Sequence, residues 1–216
     1  MVKKFIDKFR DGSFRFEQPF FYNNKFSLRC ELGIGNKKEY MKNAYKRAVE
    51  IFNIVFPNKP DFFVVEHEID DISQCLRANS IGILKNNAKA YYENLVDLKK
   101  LQSMGDSELI KISSFTEEEK RWYITLAINR FIIFPNDNKK YFDDMIKSQV
   151  GIKQPSFLLH RITNFGSLDN DCVLTIYDDR GLDIVFSSKE KGKPFYEKLK
   201  PYLFEYDIEI MKKTFE

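Results

Sequence analysis

Residues 26–55 constrain this chain more than any other stretch. Phe26, Leu28, Cys30 and Leu32 alternate with Ser27, Arg29 and Glu31, and a period of two with one polar face marks a half-buried strand. Gly33-Ile34-Gly35-Asn36 then turns the chain. Beyond the turn, Met41, Ala44, Tyr45, Ala48, Ile51, Phe52 and Val55 recur at helical spacing. Pro57 and Pro60 end that helix. Asn36 suits its N-cap, with Glu39 three residues on as in a capping box. A strand, a glycine turn and an amphipathic helix in immediate succession call for helices packed on a sheet.

The rest of the chain extends this pattern. Val2, Phe5, Ile6 and Phe9 predict a short helix over Val2–Arg10, and Phe20-Phe21-Tyr22 an aromatic loop after Pro19. Phe62 to Val65 reads as a buried strand, residues 66–80 as an acidic loop, and residues 88–104 as a second helix closed by Gly105. Trp122 to Phe134 predicts a strand, Asn138 to Val150 a helix, and Phe157–Ile162, Cys172–Tyr177 and Asp183–Phe186 three more strands. Between the last two, Asp178-Asp179-Arg180-Gly181 reads as a hairpin loop with Gly181 in the left-handed region. A final helix runs from Lys189 to Phe204, with Pro194 and Pro201 as breakers. The expected fold is α/β or α+β: a single mixed β-sheet flanked by helices, with a C-terminal antiparallel hairpin and a final helix. It forms one domain over residues 1–216, with a helical excursion at about 78–116.

Composition narrows the function classes. With 21 Phe and 11 Tyr the chain has ample apolar area for a core, which argues against intrinsic disorder. Cys30, Cys75 and Cys172 show no metal or disulfide spacing, so a reducing, cytoplasmic setting fits best. The start lacks the apolar run of a leader, and no stretch approaches the apolar length of a membrane span, so no membrane is expected. The net charge of +3 is too small to imply nucleic acid. Residues 1–60 hold 13 Lys/Arg against 6 Asp/Glu, and residues 61–120 hold 7 against 12. The basic start could meet an acidic partner, although a solvated surface explains it as well.

Three constellations could carry chemistry. Gly33 and Gly35 stand between strand and helix, where glycines let backbone approach a phosphate, and Lys37 follows in the first turn. The third glycine position holds Lys38, and no acidic residue follows at the spacing a dinucleotide site requires. Glu66-His67-Glu68 with Asp70 and Asp71 supplies metal-ligating types, but on a strand His67 points away from the two glutamates, so no metal is expected. Asp178, Asp179, Arg180 and Asp183 could form a catalytic cluster, yet turn chemistry already accounts for them. A Cys172–His160 pair is conceivable across neighbouring strands, but an apolar run begins at Cys172, which suits a buried thiol. There is no nucleophile elbow and no P-loop. The candidate ligand- or partner-binding residues are therefore Arg29, Glu31, Gly33, Gly35, Lys37, Asp178, Asp179, Arg180 and Asp183. No catalytic residue is assigned and no cofactor is expected.

Three segments taken together carry a family resemblance: Ser27-Leu28-Arg29-Cys30-Glu31-Leu32-Gly33 after Tyr22, then Arg47-Ala48 with Ile51-Phe52 and Phe56, and Tyr177-Asp178-Asp179-Arg180-Gly181-Leu182-Asp183-Ile184. The chain resembles a bacterial family of uncharacterised proteins, a domain of unknown function with a Rossmann-like fold, from about Pro19 to Phe215. The resemblance implies one domain and an α/β fold, and it implies no activity. The reading that fits best is a non-enzymatic protein-binding module, of immunity or regulatory type. The alternatives are a Rossmann-like nucleotide- or phosphate-binding protein using the Gly33–Lys38 turn, and a metal-dependent hydrolase using Asp178, Asp179 and Asp183.

Overall fold

The computed structural model describes residues 19–70, 105–114, 125–135, 139–152 and 164–216. The helices expected at 2–10 and 88–104 and the strand expected at 157–162 lie outside them. A short helix, α1 (Phe20–Asn23), stands where an aromatic loop was expected, and β1 (Ser27–Glu31) follows it. The chain continues through α2 (Tyr40–Val55), β2 (Phe62–Asp70), β3 (Gly105–Ser114), β4 (Thr125–Pro135) and α3 (Lys139–Gln149). It closes with β5 (Asn164–Ser167), β6 (Cys172–Asp178), β7 (Gly181–Phe186), α4 (Lys189–Leu199) and α5 (Ile208–Phe215). Two 3₁₀ turns, Lys200–Tyr202 and Glu205–Asp207, join the last two helices.

The seven strands form one sheet in the order β1-β7-β6-β5-β2-β4-β3. All six pairings are antiparallel, so of the two expected classes α+β is the one observed. The helical connections explain why. The connection through α2 joins β1 to β2 across three intervening strands, and the one through α3 joins β4 to β5 across β2. Strands linked this way run in the same direction without touching, and an odd number of strands between them keeps every neighbouring pair antiparallel. The Rossmann-like arrangement implied by the resemblance needs adjacent parallel strands and a switch point between them. None of the six pairings supplies that.

The alternation in β1 works as expected. Leu28, Cys30 and Leu32 enter the main core, with Ala44, Ala48, Ile51, Phe52 and Val55 of α2 and Phe142, Met145 and Ile146 of α3. Leu174 and Ile176 of β6, Leu182 and Ile184 of β7, Tyr196 and Leu199 of α4, and Met211 and Phe215 of α5 complete it. Each such fully buried Leu, Ile or Phe contributes about 2 kcal/mol relative to exposure. On the opposite face of the sheet Phe20, Phe62, Val64, Val173 and Val185 form a smaller cluster. The outer edge of β1 is covered: Cys30 bridges to Leu203, and the Phe204 amide donates to the Arg29 carbonyl at 2.9 Å.

Several elements differ from expectation. Residues 66–70, read as acidic loop, continue β2, and residues 105–114, within the expected helical excursion, form β3. Both strands are fixed by backbone pairing with β4, so their mixed polarity does not decide their conformation. The last helix stops at Leu199, and the tighter turn Lys200–Tyr202, which holds Pro201, redirects the chain toward α5. Gly181 does not adopt a left-handed backbone. It is needed because a Cβ there would lie 2.0 Å from Tyr177 Oη and 2.9 Å from the Cys30 carbonyl oxygen. The tip is a two-residue loop, Asp179-Arg180, beside an irregularity between Ile176 and Asp178 that absorbs the mismatch in twist.

Candidate functional site

The register of β1 on β7 sets Arg29 opposite Asp183. Both lie on the face away from the main core. The Arg29 Nε donates to Asp183 Oδ1 at 3.0 Å, and Nη1 donates to Asp207 Oδ2 at 3.2 Å. The remaining carboxylate oxygens are also engaged: the Phe21 amide donates to Asp183 Oδ2 at 3.0 Å and the Tyr22 hydroxyl to Asp207 Oδ1 at 2.9 Å. Asp183 is fully buried, Asp207 is 1% exposed, and the Arg29 side chain is 14% exposed. Three rings surround the guanidinium, with Phe21, Tyr22 and Tyr177 centroids 5.3, 4.8 and 5.6 Å from its carbon.

These contacts set the protonation states. Burial pushes the Asp183 carboxyl above its ordinary range, and the neighbouring Arg29 charge and the Phe21 amide oppose that rise. Burial works against the Arg29 charge, but Asp183 and Asp207 hold the guanidinium firmly protonated. Tyr177 is likewise pushed upward by burial and by the Asp183 charge, so it stays a neutral phenol. The cluster is thus an interior ion network, one guanidinium shared by two carboxylates, joining α1, the sheet and the C-terminal segment. Asp207, Tyr22 and Tyr177 were not among the candidate binding residues, although the two tyrosines stand in the segments that carry the resemblance, and only the tertiary fold connects all three to Arg29.

The same row continues across the sheet. Asp183 faces Thr175 of β6, and Thr175 faces Asn164 of β5. Thr175 and Asn164 are buried as well, and Asn164 Oδ1 makes no hydrogen bond. Four polar residues on adjacent strands therefore lie on the face opposite the main core.

The other expected residues assemble at one end of β1 and β7, outside the ion network. Glu31 pairs with Gly181, and the Leu32 amide donates to the Arg180 carbonyl at 2.9 Å, which sets the Gly33–Lys38 turn beside the hairpin tip. Each loop is braced by its own side chains. At the tip, Asp178 Oδ1 accepts from the Arg180 amide at 2.8 Å and Oδ2 from Arg180 Nε at 2.7 Å. In the turn, Asn36 Oδ1 accepts from the Lys38 and Glu39 amides, and Asn43 Nδ2 donates to the Ile34 carbonyl at 3.0 Å. Asn36 is not the N-cap of α2 as expected: it braces the turn over residues 37–39, and α2 begins at Tyr40 with Glu39 at its N-cap and no side-chain bond there. Gly35 takes a left-handed backbone, with φ of 94°. The space above Gly33 is filled: a Cβ there would lie 2.0 Å from the Tyr40 ring. A phosphate approaching Gly33 would meet that ring, and the Lys38 and Glu39 amides of the turn already have the Asn36 acceptor. Ile34, Gly35, Lys37 and Arg180 are exposed, and Asp178 and Asp179 are partly so.

The structure thus divides the nine expected residues between two settings. Arg29 and Asp183 are interior and fully paired; Glu31, Gly33, Gly35, Lys37, Asp178, Asp179 and Arg180 form a braced surface rim. Among the described residues no group of three or more His, Cys, Asp or Glu side chains could hold a metal ion, and no helix is long and apolar enough to cross a membrane.

The profile of a family described as a domain of unknown function (DUF3885) matches residues 2–207, nearly the whole chain, and the protein belongs to that family. No curated protein and no solved structure matches it.

Proposed function

We infer that this chain is a non-enzymatic protein-binding module, of immunity or regulatory type, whose partner docks on the rim formed by the Gly33–Lys38 turn and the Asp178–Gly181 tip. The observation that carries this reading is the bracing of two adjacent exposed loops by side chain–backbone hydrogen bonds. A surface already ordered before binding loses less conformational freedom on association. The rim offers an exposed isoleucine, followed by Lys37 and Lys38, on one loop and an aspartate–arginine pair on the other, the mixture that a protein interface uses for anchor and register. Asp183, whose carboxyl burial raises, is enclosed with its counter-ion Arg29, away from the rim.

A photo-crosslinking residue placed at Ile34, at Arg180 and, as a control, at exposed Lys198 of α4 tests the proposal in cells that produce the protein naturally. One protein captured in stoichiometric amount from both rim positions, and not from Lys198, is expected. Absence of such capture, or equal capture from Lys198, overturns it. A thermal-shift panel of nucleotides and dinucleotides is expected to leave the melting temperature unchanged; a saturable rise would instead support nucleotide binding.

A further inference from the structure

One side chain touches both the interior ion network and the surface rim. Ile176 pairs with Leu182 and Asp178 with Gly181, so Tyr177 is the extra residue of β6, inserted where the ladder slips. An inserted residue bends its strand and re-aims its side chain. The Tyr177 ring centroid lies 5.6 Å from the Arg29 guanidinium carbon. Its hydroxyl end rests on Gly181, where even a Cβ would lie 2.0 Å from Oη. The next residue, Asp178, shapes the tip by accepting from the Arg180 amide and from Arg180 Nε.

The two sides of this ring are held differently. Toward the tip there is no slack, because the space above the glycine is already filled. Toward the network the ring is seated on the guanidinium, whose position depends on Asp183 and Asp207. Asp183 is fixed on the neighbouring strand by the register of β1 on β7. Asp207 is not on the sheet. It stands in the 3₁₀ turn ahead of α5, holds Arg29 Nη1 at 3.2 Å and accepts from the Tyr22 hydroxyl. Two carboxylates fix the plane of a guanidinium as well as its position, whereas one bonded through Nε alone leaves its outer end free to swing. Such a swing unseats Tyr177, and the bulge can then relax with the tip attached.

We propose that Tyr177 is a positioning residue through which the C-terminal segment governs the rim: with Asp207 seated on Arg29, the ring holds the Asp178–Gly181 tip in its braced form, and withdrawing Asp207 loosens it. This deepens the docking reading given above and rests on it only in treating the tip as the partner's surface. Coupling of this kind is reciprocal, so a partner that grips the braced tip also tightens the seat of Asp207.

Hydrogen exchange followed by NMR on the intact, unbound protein reads the tip directly, so failure to find a partner and failure of this coupling are separate outcomes. The Arg180 amide reports on the tip, and the Lys38 amide, held by Asn36 in the other loop of the rim, is the reference. Asp207→Asn keeps the shape and removes the charge; it should speed Arg180 exchange about five-fold and leave Lys38 within about two-fold. Tyr177→Leu removes the ring and should speed Arg180 exchange about ten-fold, and adding Asp207→Asn to it should then change nothing further. Tyr22→Phe removes only the hydroxyl bond to Asp207 at an exposed position. It should act in the same direction by about two-fold, and it decides the matter if either of the other variants fails to fold. The proposal is overturned if Arg180 exchange is unchanged in Asp207→Asn and Tyr22→Phe, or if Lys38 exchange rises as much as that of Arg180. It is overturned too if the effects of Tyr177→Leu and Asp207→Asn multiply as independent changes do.

Discussion

Replacing Arg29 with methionine keeps much of its aliphatic bulk and removes the one cation shared by Asp183 and Asp207. Both carboxylates are almost wholly buried, so water cannot replace the guanidinium without opening the packing of α1 and the C-terminal segment around it. Each keeps one donor, the Phe21 amide and the Tyr22 hydroxyl respectively. Removing one partner from a buried ion pair costs about 3–5 kcal/mol, and the aromatic contacts around the guanidinium add roughly 0.5–1 kcal/mol. The partial exposure of Arg29 tempers this, so a loss of about 4 kcal/mol is expected. Urea unfolding followed by circular dichroism and extrapolated linearly measures it.

The pH dependence distinguishes this mechanism from a packing defect. The Asp183 carboxyl is raised in the folded state, so the native chain binds its proton more tightly than the unfolded chain does. Its contribution to stability is complete below the unfolded carboxylate range and declines as pH rises through the folded value. Removing Arg29 takes away the charge that opposes the rise and extends the window upward. The penalty of Arg29→Met should therefore shrink between roughly pH 8 and pH 5. Adding Asp183→Asn, which keeps an acceptor for the Phe21 amide, should recover about half of it. A penalty below about 1 kcal/mol, or one that does not change across that range, refutes the reasoning.

Two further variants probe the sheet. Gly181→Ala forces a methyl against the Tyr177 hydroxyl and the Cys30 carbonyl and should cost about 1–3 kcal/mol in denaturant titration; truncating Tyr177 to alanine in the same chain should make that substitution far milder. Asn164→Val removes a buried amide oxygen that has no hydrogen bond and places a β-branched side chain in β5, so a gain of about 1 kcal/mol is expected, read as a higher melting temperature; a fall would mean that the amide meets a need the structure does not display.

The sequence was most legible where period and turn chemistry agreed. The alternation through Leu28 to Leu32 and the stripe of α2 assigned faces correctly, because the residues that alternate are those the core takes up. The closing hairpin was legible for the same reason, although the role of Gly181 was not, since the Tyr177 ring reaches it only once β6 is paired. Where partners decide, local reading stops. Glu66 to Asp70 look like loop and Asn164 to Ser167 show no period, yet both are strands held by neighbours on the sheet. Of the ion network, Arg29 and Asp183 were singled out separately, and their pairing came with the register. Asp207 lay beyond the expected last helix, 178 positions from Arg29, with no local pattern to mark it. The Gly33 turn carried the composition of a phosphate site, and the ring of Tyr40, folded back over the glycine, filled it.

The adjacency of β1 and β7 also governs how the chain reaches this state. The first described strand lies beside the last, and their contacts span some 154 positions, as between Arg29 and Asp183. Closing so long a loop comes before any reward from the contact, so folding by this route is slow for the size of the chain. During synthesis β1 emerges early with its neighbour-to-be still untranslated, and the segment that shields its other edge, around Leu203, comes later still. Until β7 is made, a nascent chain thus carries an unpaired strand with one apolar face, and the stretch from Ser27 to Leu32 is where misassembly with other nascent chains would begin.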